Sequence, residues 1–320
     1  MGKGNAVVGQ SGGPTSVINA SLAGIVDGCG RVADIDRVLG MRWGIEGLMA
    51  DELVDLSSQS AETLEGLRRT PSSALGSSRH KLQEADFPTI LAQLRRHDVR
   101  TVFMIGGNDT MDTIHRITEF AAREGYELRG LGVPKTVDND LYATDHTPGY
   151  PSAARYTALS VQQAGRLARD MQKVDQFTIY QSIGRDSGWL TASAALAKRS
   201  EEEAPHLVYM PERAFDEERF LDDVADAHRR FGYVSIACGE GIRYADGAPV
   251  SASRTKDKFS NVEFGAMGGA SVGLQLHRMV SDRFGWRGEF QITESLPMCA
   301  IDRAVESDLA EAHACGREAA

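Results

Sequence analysis

The chain has 320 residues, of which 42% are hydrophobic and 25% are charged, and its formal net charge is -10. These proportions are ordinary for a soluble globular protein with a sizeable core, and the length predicts one large or two medium domains. The acidic balance and the lack of a basic run exclude the usual patterns of nucleic-acid and anionic-membrane binders, and no apolar run approaches the ~18 residues of a membrane span.

Cysteine usage and the N-terminal residues predict a cytoplasmic protein. The four cysteines show no CxxC spacing, which argues against structural zinc and fits reduced thiols. Residues 1–6 lack the apolar core of a signal peptide.

Short apolar runs alternate with helical patterns along the chain. The first set predicts strands at 6–8, 37–41, 101–105 and 128–133 and helices at 15–28, 87–97 and 110–124. After a long helix at 149–171, a second set predicts strands at 177–181, 206–209 and 233–238 and helices at 187–198 and 216–230. This alternation is typical of βαβ units around mainly parallel sheets.

The predicted fold class is α/β, with two Rossmann-like three-layer lobes and mainly parallel sheets. The predicted lobes are residues 1–145 and 146–300, and a C-terminal helix within 301–320 is expected to pack back on the first lobe. Ligands in such sheets bind beyond the carboxyl ends of the strands. Functional motifs are therefore expected in the loops that follow the predicted strands.

Residues 132–141 place one cation and two carboxylates directly after a predicted strand. Lys135 can neutralise a transferring phosphoryl group, and Asp138 or Asp140 can accept a proton from an attacking hydroxyl. The same residues would also suit a polar turn, because Asp and Asn favour turns for backbone reasons. The stretch therefore predicts an active-site loop when other motifs accompany it.

Four further segments accompany it. Gly12 and Gly13 lie between a predicted strand and helix, where backbone N–H groups can approach phosphate oxygens, although a plain β-to-α turn would use the same residues. The others are a small-residue loop at 70–79 that ends in Arg79, a helix start at 105–110 and a strand end at 183–189. The P-loop signature is absent, and the GxGxxA letters at 28–33 fall at a predicted helix end.

In this order, the five segments resemble the phosphofructokinase family, and more specifically its pyrophosphate-dependent branch, from residue 5 to about residue 318. The resemblance implies a phosphoryl-donor-binding lobe at 1–145 and a sugar-phosphate-binding lobe at 146–300. It also implies pyrophosphate (or ATP) and a sugar phosphate as substrates, Mg²⁺ as the cofactor, and a homodimer or homotetramer. A nucleic-acid or membrane partner is not expected.

The resemblance assigns the phosphoryl donor to Gly12, Gly13, Arg79, Gly107, Asp109 and Thr110. Asp109 stands where glycine leaves room for the α-phosphate of ATP in ATP-dependent members, and Lys135 is typical of pyrophosphate-dependent members. Asn108 and Asp138 are the implied metal ligands. Asn108 replaces the usual aspartate, and a neutral amide holds Mg²⁺ less strongly than a carboxylate does.

The catalytic residues implied are Asp138, as the base on the sugar hydroxyl, with Lys135 and Arg185. The substrate-binding residues implied are Thr136, Asp138, Asp140, Ile183, Gly184, Arg185, Glu240 and Arg303. Such chemistry depends on positioning and electrostatics and needs no covalent intermediate.

The acceptor end departs from the family pattern. Ile292 stands where an arginine normally holds the far phosphate of fructose 6-phosphate, and Gln176 stands where many members supply an arginine to a neighbouring subunit. Arg287 or Arg303 could compensate. The first helix has no arginine, so nucleotide regulation is not expected. The chain ends soon after residue 316, where family members continue, which suggests either a shorter lineage or a partner over the exposed edge.

Three functions fit these observations. The first is transfer of a phosphoryl group from pyrophosphate to the 1-hydroxyl of fructose 6-phosphate. The second is a related kinase, using ATP or pyrophosphate, with another acceptor such as a heptulose phosphate or a secondary-metabolite sugar. The third is a catalytically silent homologue that binds a ligand or regulates another protein, which Asn108 and Ile292 favour and Lys135, Asp138 and Arg185 oppose.

Overall fold

The computed structural model describes residues 3–251 and 271–320. The chain divides into two compact units, Met1–Ser152 with Met298–Ala320, and Ala153–Pro297. Among the described residues, none of the helices combines the length and the apolar character of a membrane span.

The first unit is built on a five-stranded sheet with the order β3-β2-β1-β4-β5. Its strands are β1 (Gly4–Gln10), β2 (Ile35–Met41), β3 (Leu53–Asp55), β4 (Val99–Gly106) and β5 (Arg129–Pro134). Its first helices are α1 (Ile18–Cys29), α2 (Ile45–Met49), α3 (Ala61–Arg68), α4 (Phe87–Arg96) and α5 (Asn108–Arg123). All neighbouring strands pair in parallel except β3, which runs antiparallel to β2.

Helices cover both faces of this sheet, and successive side chains of a strand pack on opposite sides. Val7 packs with Val102 and the apolar face of α4, whereas Ala6 and Val8 pack with Ile18 and other residues of α1. A parallel sheet buried on both faces requires nearly continuous apolar strands, which β1 and β4 provide. The result is a three-layer lobe.

The second unit is built on a four-stranded parallel sheet with the order β7-β8-β6-β9. Its strands are β6 (Phe177–Ser182), β7 (Leu207–Tyr209), β8 (Val234–Gly239) and β9 (Gly288–Ile292). Its helices are α6 (Tyr150–Asp170), α7 (Trp189–Ser193), α8 (Glu217–Phe231) and α9 (Val272–Phe284), and the first three residues of α6 belong to the first unit. Phe177 and Ile179 pack with α8 and α9, and Tyr180 packs on the other face with Val161 of α6. The predicted α/β class with mainly parallel sheets is confirmed.

Two predicted helices differ from the observed ones. The helix predicted at 15–28 begins at Ile18, because Thr15 Oγ1 accepts the N–H of Val17 at 3.2 Å and so holds a turn before the helix. The helix predicted at 187–198 is divided into α7 and a 3-10 turn at Ala194–Ala197. Its start is delayed because the N–H of Gly188 donates to Glu212 Oε1 at 2.6 Å.

The last helix, α10 (Glu306–Ala319), crosses α1 in the first unit at glycine positions. An ideal Cβ at Gly24 would lie 2.1 Å from the carbonyl oxygen of His313, and one at Gly316 would lie 2.1 Å from that of Ser21. Glycine therefore permits a backbone-to-backbone approach that no other residue allows. The GxGxxA letters at 28–33 do mark a helix end, since α1 stops at Cys29.

Substituting alanine at two helical glycines is expected to change stability in opposite directions. Gly24→Ala should destabilise the protein by about 1–3 kcal/mol, because the added methyl overpacks the crossing with α10. Gly66→Ala in α3, where nothing lies within 4 Å of the new Cβ, should stabilise it by about 0.5–1 kcal/mol. Urea denaturation of both variants measures the difference, and equal effects would contradict the close crossing.

Candidate active site

Three strands of the first unit end side by side and deliver the predicted motifs to one edge of the sheet. In the ladders, Gln10 of β1 pairs with Ile105 of β4, and Gly106 of β4 pairs with Pro134 of β5. The segments that follow these strands carry the glycine pair, the start of α5 and the Lys135 loop. Parallel strands place such segments together whatever their separation in sequence.

Lys135 is the buried cation at this edge, with only 4% of its surface exposed. Its Nζ donates to the carbonyl oxygen of Gly13 at 2.7 Å, and its backbone N–H donates to Gly106 at 3.1 Å. Gly12 has a positive φ of 75°, and an ideal Cβ there would lie 3.3 Å from Lys135 Nζ. Glycine at position 12 thus satisfies both the backbone turn and the close approach of the ammonium group.

Burial lowers the pKa of Lys135 from its usual value to about 8. Asp138 and Asp140 oppose this shift, and Arg79 adds to it. The four charged side chains therefore lie within electrostatic range of one another. At neutral pH the lysine is still mainly a cation, held in a water-poor position near Arg79, Asp138 and Asp140.

The loop that carries Asp138 is held by hydrogen bonds of its own polar residues. The N–H of Asp138 donates to Thr136 Oγ1 at 3.1 Å, and Thr147 Oγ1 donates to the carbonyl oxygen of Thr136 at 2.8 Å. Asn139 is buried in a left-handed conformation, with φ at 55°, and its Oδ1 accepts the N–H of Thr147 at 2.9 Å. Asn139 was not singled out from sequence, although asparagine's tolerance of this conformation is a usable signal.

Asn108 and the two aspartates form the set that could hold a metal ion. Asn108 Nδ2 lies 3.4 Å from Asp140 Oδ2 and 3.5 Å from the carbonyl oxygen of Asp140. The neighbour that the structure gives Asn108 is thus Asp140, which the predicted metal pair of Asn108 and Asp138 omitted. Within residues 3–251 and 271–320, no group of three or more His, Cys, Asp or Glu side chains is arranged for a metal. The set fits Mg²⁺, which keeps several waters and binds one or two carboxylates together with substrate phosphates.

A buried amide pair connects the glycine loop to the segment that ends at Arg79. Gln10 Nε2 donates to Asn19 Oδ1 at 2.8 Å, and both side chains are fully buried. Gln10 Oε1 accepts the N–H of Leu75 at 3.0 Å, and Asn19 Nδ2 donates to the carbonyl oxygen of Thr70 at 2.8 Å. Sequence reasoning missed this pair. Its signal was a glutamine at the end of an otherwise apolar strand.

The other residues predicted to bind the donor lie around the same loop. The N–H of Gly12 donates to the carbonyl oxygen of Ser78 at 3.0 Å, and Arg79 Nη2 comes within 3.9 Å of an ideal Cβ on Gly13. Gly107 precedes α5 as its N-cap, and Asp109 is exposed in the first turn of that helix. Thr110 is buried, and its Oγ1 would be 2.1 Å from a Cβ on Gly106, so it fills the space behind that glycine.

A second cluster of predicted residues lies at the carboxyl ends of β6 and β8 in the second unit, where Ser182 pairs with Gly239. Glu240 Oε1 accepts the N–H of Gly184 at 3.2 Å, and the N–H of Glu240 donates to Ser182 at 3.0 Å. Gly184 has a positive φ of 121°, which presents Ile183 and the exposed Arg185 on a tight turn.

The register of β9 corrects the prediction that Arg287 could replace the missing arginine. Ile292 pairs with Gln181 near the carboxyl end of β6, whereas Gly288 pairs with Phe177 at its amino end. Arg287 therefore lies roughly 15 Å from Ile292 along the strand. Its Nε instead lies 3.0 Å from Asp175 Oδ1.

Gln176 and Arg303 also have local partners. The N–H of Gln176 donates to the carbonyl oxygen of Arg287 at 2.7 Å, and its Oε1 accepts the N–H of Arg287 at 3.1 Å. Arg303 belongs to the first unit, in a 3-10 turn at Ile301–Arg303, and its Nε lies 3.1 Å from Asp302 Oδ2.

Similarity to known proteins agrees with this geometry. The chain is 39% identical over 326 residues, covering 100% of this chain and 76% of the relative, to pyrophosphate--fructose 6-phosphate 1-phosphotransferase of Xanthomonas campestris pv. campestris (strain B100). It is 38% identical over 235 residues, covering 73% of this chain and 60% of the relative, to sulfofructose kinase of Alkalicoccus urumqiensis. The crystal structure of pyrophosphate-dependent phosphofructokinase from Nitrosospira multiformis aligns with a TM-score of 0.87 and 32% identity, covering 98% of this chain and 75% of that one.

Residues 5–309 also match the family described as phosphofructokinase. The match spans both units and includes every residue assigned above to the donor, the acceptor or the metal. The chain belongs to the phosphofructokinase family.

Proposed function

We propose that the protein transfers a phosphoryl group from pyrophosphate to the 1-hydroxyl of fructose 6-phosphate, giving fructose 1,6-bisphosphate and orthophosphate. The observation that carries the proposal is the buried Lys135, bonded to Gly13 and flanked by Asp138 and Asp140 where parallel strands end. The Xanthomonas relative, at 39% identity, is named for this reaction.

Asp138 is the proposed general base. The 1-hydroxyl oxygen forms a bond to the transferred phosphorus, its proton passes to Asp138, and the bond from phosphorus to the bridging oxygen breaks, so that orthophosphate leaves. Lys135 offsets the negative charge on the phosphoryl oxygens. Its contact with Gly13 directs the ammonium group toward the glycine loop, which makes the lysine a positioned charge.

The donor is proposed to bind at the glycine loop and at the start of α5, through Gly12, Gly13, Arg79, Gly107, Asp109 and Thr110. A helix N-terminus normally attracts an anion, but here Asp109 supplies a carboxylate in the first turn. In this position the carboxylate would fill the space of the α-phosphate of ATP and repel it. Pyrophosphate has no such third phosphate and is therefore the favoured donor. The acceptor is proposed to bind through Thr136, Asp138, Asp140, Ile183, Gly184, Arg185, Glu240 and Arg303.

Mg²⁺ is the proposed cofactor, held by Asp138, Asp140 and the Oδ1 of Asn108. When bound, it neutralises charge on the pyrophosphate oxygens. Because Asn108 brings no charge, the protein's own share of metal binding rests on the two aspartates, and the donor must complete the site. A cytoplasmic location and a homodimer or homotetramer belong to the same proposal, and sedimentation equilibrium would measure the assembly.

A sugar sulfonate is the second candidate acceptor. Ile292 brings no charge to the carboxyl end of β9, and Arg287 lies at the opposite end, with its Nε 3.0 Å from Asp175 Oδ1. A sulfonate carries one negative charge where a phosphate monoester carries nearly two, so it needs fewer cations. The relative named sulfofructose kinase, at 38% identity, makes this alternative specific.

Initial rates with every combination of donor and acceptor test the proposed function. Pyrophosphate and ATP should be crossed with fructose 6-phosphate, sulfofructose and a heptulose phosphate, each with Mg²⁺. The proposal predicts the highest kcat/KM for pyrophosphate with fructose 6-phosphate. A preference for ATP would refute the donor assignment, a preference for sulfofructose would refute the acceptor, and no transfer with any pair would favour a silent homologue.

Substitution at Ile292 tests the acceptor end. Ile292→Arg should lower the KM for fructose 6-phosphate by about tenfold, because one charge-assisted bond to a phosphate contributes about 1.5–3 kcal/mol. Ile292→Leu is the control and should leave the KM within about twofold, since a volume-conserving apolar exchange is tolerated. If the wild type already has a low micromolar KM, other residues hold the phosphate and this reading of Ile292 is wrong.

A further inference from the structure

Asp308 is a fully buried carboxylate that binds a segment distant in sequence. It lies in the first turn of α10, and its Oδ1 accepts the N–H of Gly149 at 2.9 Å. Its Oδ2 accepts the N–H of Ser152 at 3.1 Å and the hydroxyl of Ser152 at 2.5 Å. These donors flank the first turn of α6, which begins at Tyr150. A residue of α10 therefore caps two backbone N–H groups at the start of α6.

Gly149, whose N–H Asp308 accepts, contacts the loop that carries Asp138. Gly149 forms an isolated parallel bridge with Thr136, and its φ of 108° is accessible to glycine with little strain. Thr136 in turn accepts the N–H of Asp138 on its Oγ1. A continuous chain of contacts thus runs from Asp308 through Gly149 and Thr136 to Asp138.

A second contact joins α10 to the same loop. His146 Nε2 lies 2.7 Å from Glu311 Oε2, one turn further along α10. Both side chains are partly exposed, at 40% and 49%, so this pair contributes less to holding the loop than the buried Asp308 does.

We propose that Asp308 is a positioning residue that sets the direction of Asp138 by fixing Gly149 and Thr136. The proposal rests on the proposed role of Asp138 as the base. Removing the Asp308 carboxylate should let Gly149 move away from Thr136, so that Asp138 loses its alignment while Lys135 keeps its own bonds to Gly13 and Gly106. The expected defect lies in the chemical step and spares donor binding.

The proposed role differs from ordinary helix capping in what else changes. A cap that only stabilises α6 would lower the melting temperature and leave kcat unchanged in the protein that remains folded. Loss of a positioning residue also lowers kcat at temperatures where the variant is fully folded. Its loss also changes the conformation of the loop at 136–140 when no substrate is bound.

The test uses the full chain with Asp308→Asn, which keeps the volume but turns one acceptor oxygen into an N–H donor facing other donors. kcat should fall by about tenfold or more, with the KM for pyrophosphate changed by less than about threefold. Glu311→Gln is the matched control on the same helix and should keep kcat within about twofold. If Asp308→Asn does not fold, Ser152→Ala removes one of the three bonds to Asp308, together with the bond that Ser152 Oγ accepts from the N–H of Val305, and should give a smaller loss of kcat in the same direction.

Amide hydrogen exchange gives a readout that does not depend on activity. Asp308→Asn should accelerate exchange in a peptide that covers 136–140 as well as in one that covers 149–152. Acceleration limited to 149–152, or an unchanged kcat in a folded and active background, would overturn the proposal. A wild type that transfers no phosphoryl group would count against the proposed function, whereas the exchange at 136–140 would still decide the role of Asp308.

Discussion

Asp138→Asn is expected to reduce kcat by about 10²–10⁴-fold, the range typical of a lost general base. The amide has the same shape as the carboxylate but cannot accept the proton of the attacking hydroxyl. The loop should keep its conformation, because the bond between Asp138 and Thr136 uses the backbone N–H of Asp138 and not its side chain. Steady-state kinetics together with a thermal melt measures both parts of the expectation.

Asp145→Asn is the matched control for this substitution. It makes the same chemical change in the same loop at a side chain that is 91% exposed, and kcat should stay within about twofold of the wild type because exposed positions away from special features have small effects. An Asp138→Asn variant that retains most of the wild-type kcat would remove Asp138 from the proposed mechanism.

Lys135→Met is expected to abolish phosphoryl transfer and at the same time to stabilise the protein at pH 7. Burial lowers the pKa of Lys135 from 10.5 to about 8, so the folded protein disfavours this charge relative to the unfolded chain. A shift of this size corresponds to about 3 kcal/mol. Losing the bond to Gly13 offsets about 1 kcal/mol of the gain, which leaves a net stabilisation of about 2 kcal/mol.

The stabilising effect of Lys135→Met should depend on pH. Between pH 8 and 10.5 the unfolded chain binds a proton at Lys135 that the folded protein has released, so the stability of the wild type rises with pH across this window. The advantage of Lys135→Met should therefore be fully present below pH 8 and shrink above it. In the wild type, kcat/KM for pyrophosphate should fall as pH rises past about 8, because the free enzyme loses the cation.

Urea denaturation at pH 7 and pH 10 and a pH profile of kcat/KM measure these effects. Lys81→Met, at an exposed lysine of the same unit, should change stability by no more than about 0.5 kcal/mol. A Lys135→Met protein that is less stable than the wild type at pH 7 would contradict this prediction. It would show that attraction between the lysine and the neighbouring aspartates outweighs the cost of burying its charge.

The local pattern of apolar residues was sufficient to predict the main strands and the site residues that directly follow them. Apolar runs identified β1, β4 and β5, and parallel pairing then brings the residues after them to one edge. The sequence therefore predicts that Lys135 and Gly13 lie near each other, and the structure joins them by a hydrogen bond. Gly12 and Gly13 were predicted as a site because glycine between a strand and a helix lets backbone N–H groups approach phosphate oxygens. The approach of Lys135 to Gly12 is seen only in the structure.

Contacts between distant residues could not be predicted in this way. The Gln10–Asn19 amide pair and the cap that Asp308 gives to α6 depend on which helices and loops pack together, and no short-range pattern contains that information. The position of Arg287 depends on the register of β9, and a shift of a few residues moves a side chain from one end of a sheet to the other. The short antiparallel β3 has too few residues for a period to be recognised.

Phosphorus-31 NMR of the wild-type protein with pyrophosphate, fructose 6-phosphate and Mg²⁺ tests the central claim most directly. The pyrophosphate signal should fall in step with the growth of two signals of equal amount, orthophosphate and a new phosphate ester on C1 of the sugar, and Asp138→Asn should suppress all three changes together. Orthophosphate without the ester, or an ester that forms only when ATP replaces pyrophosphate, would contradict the account.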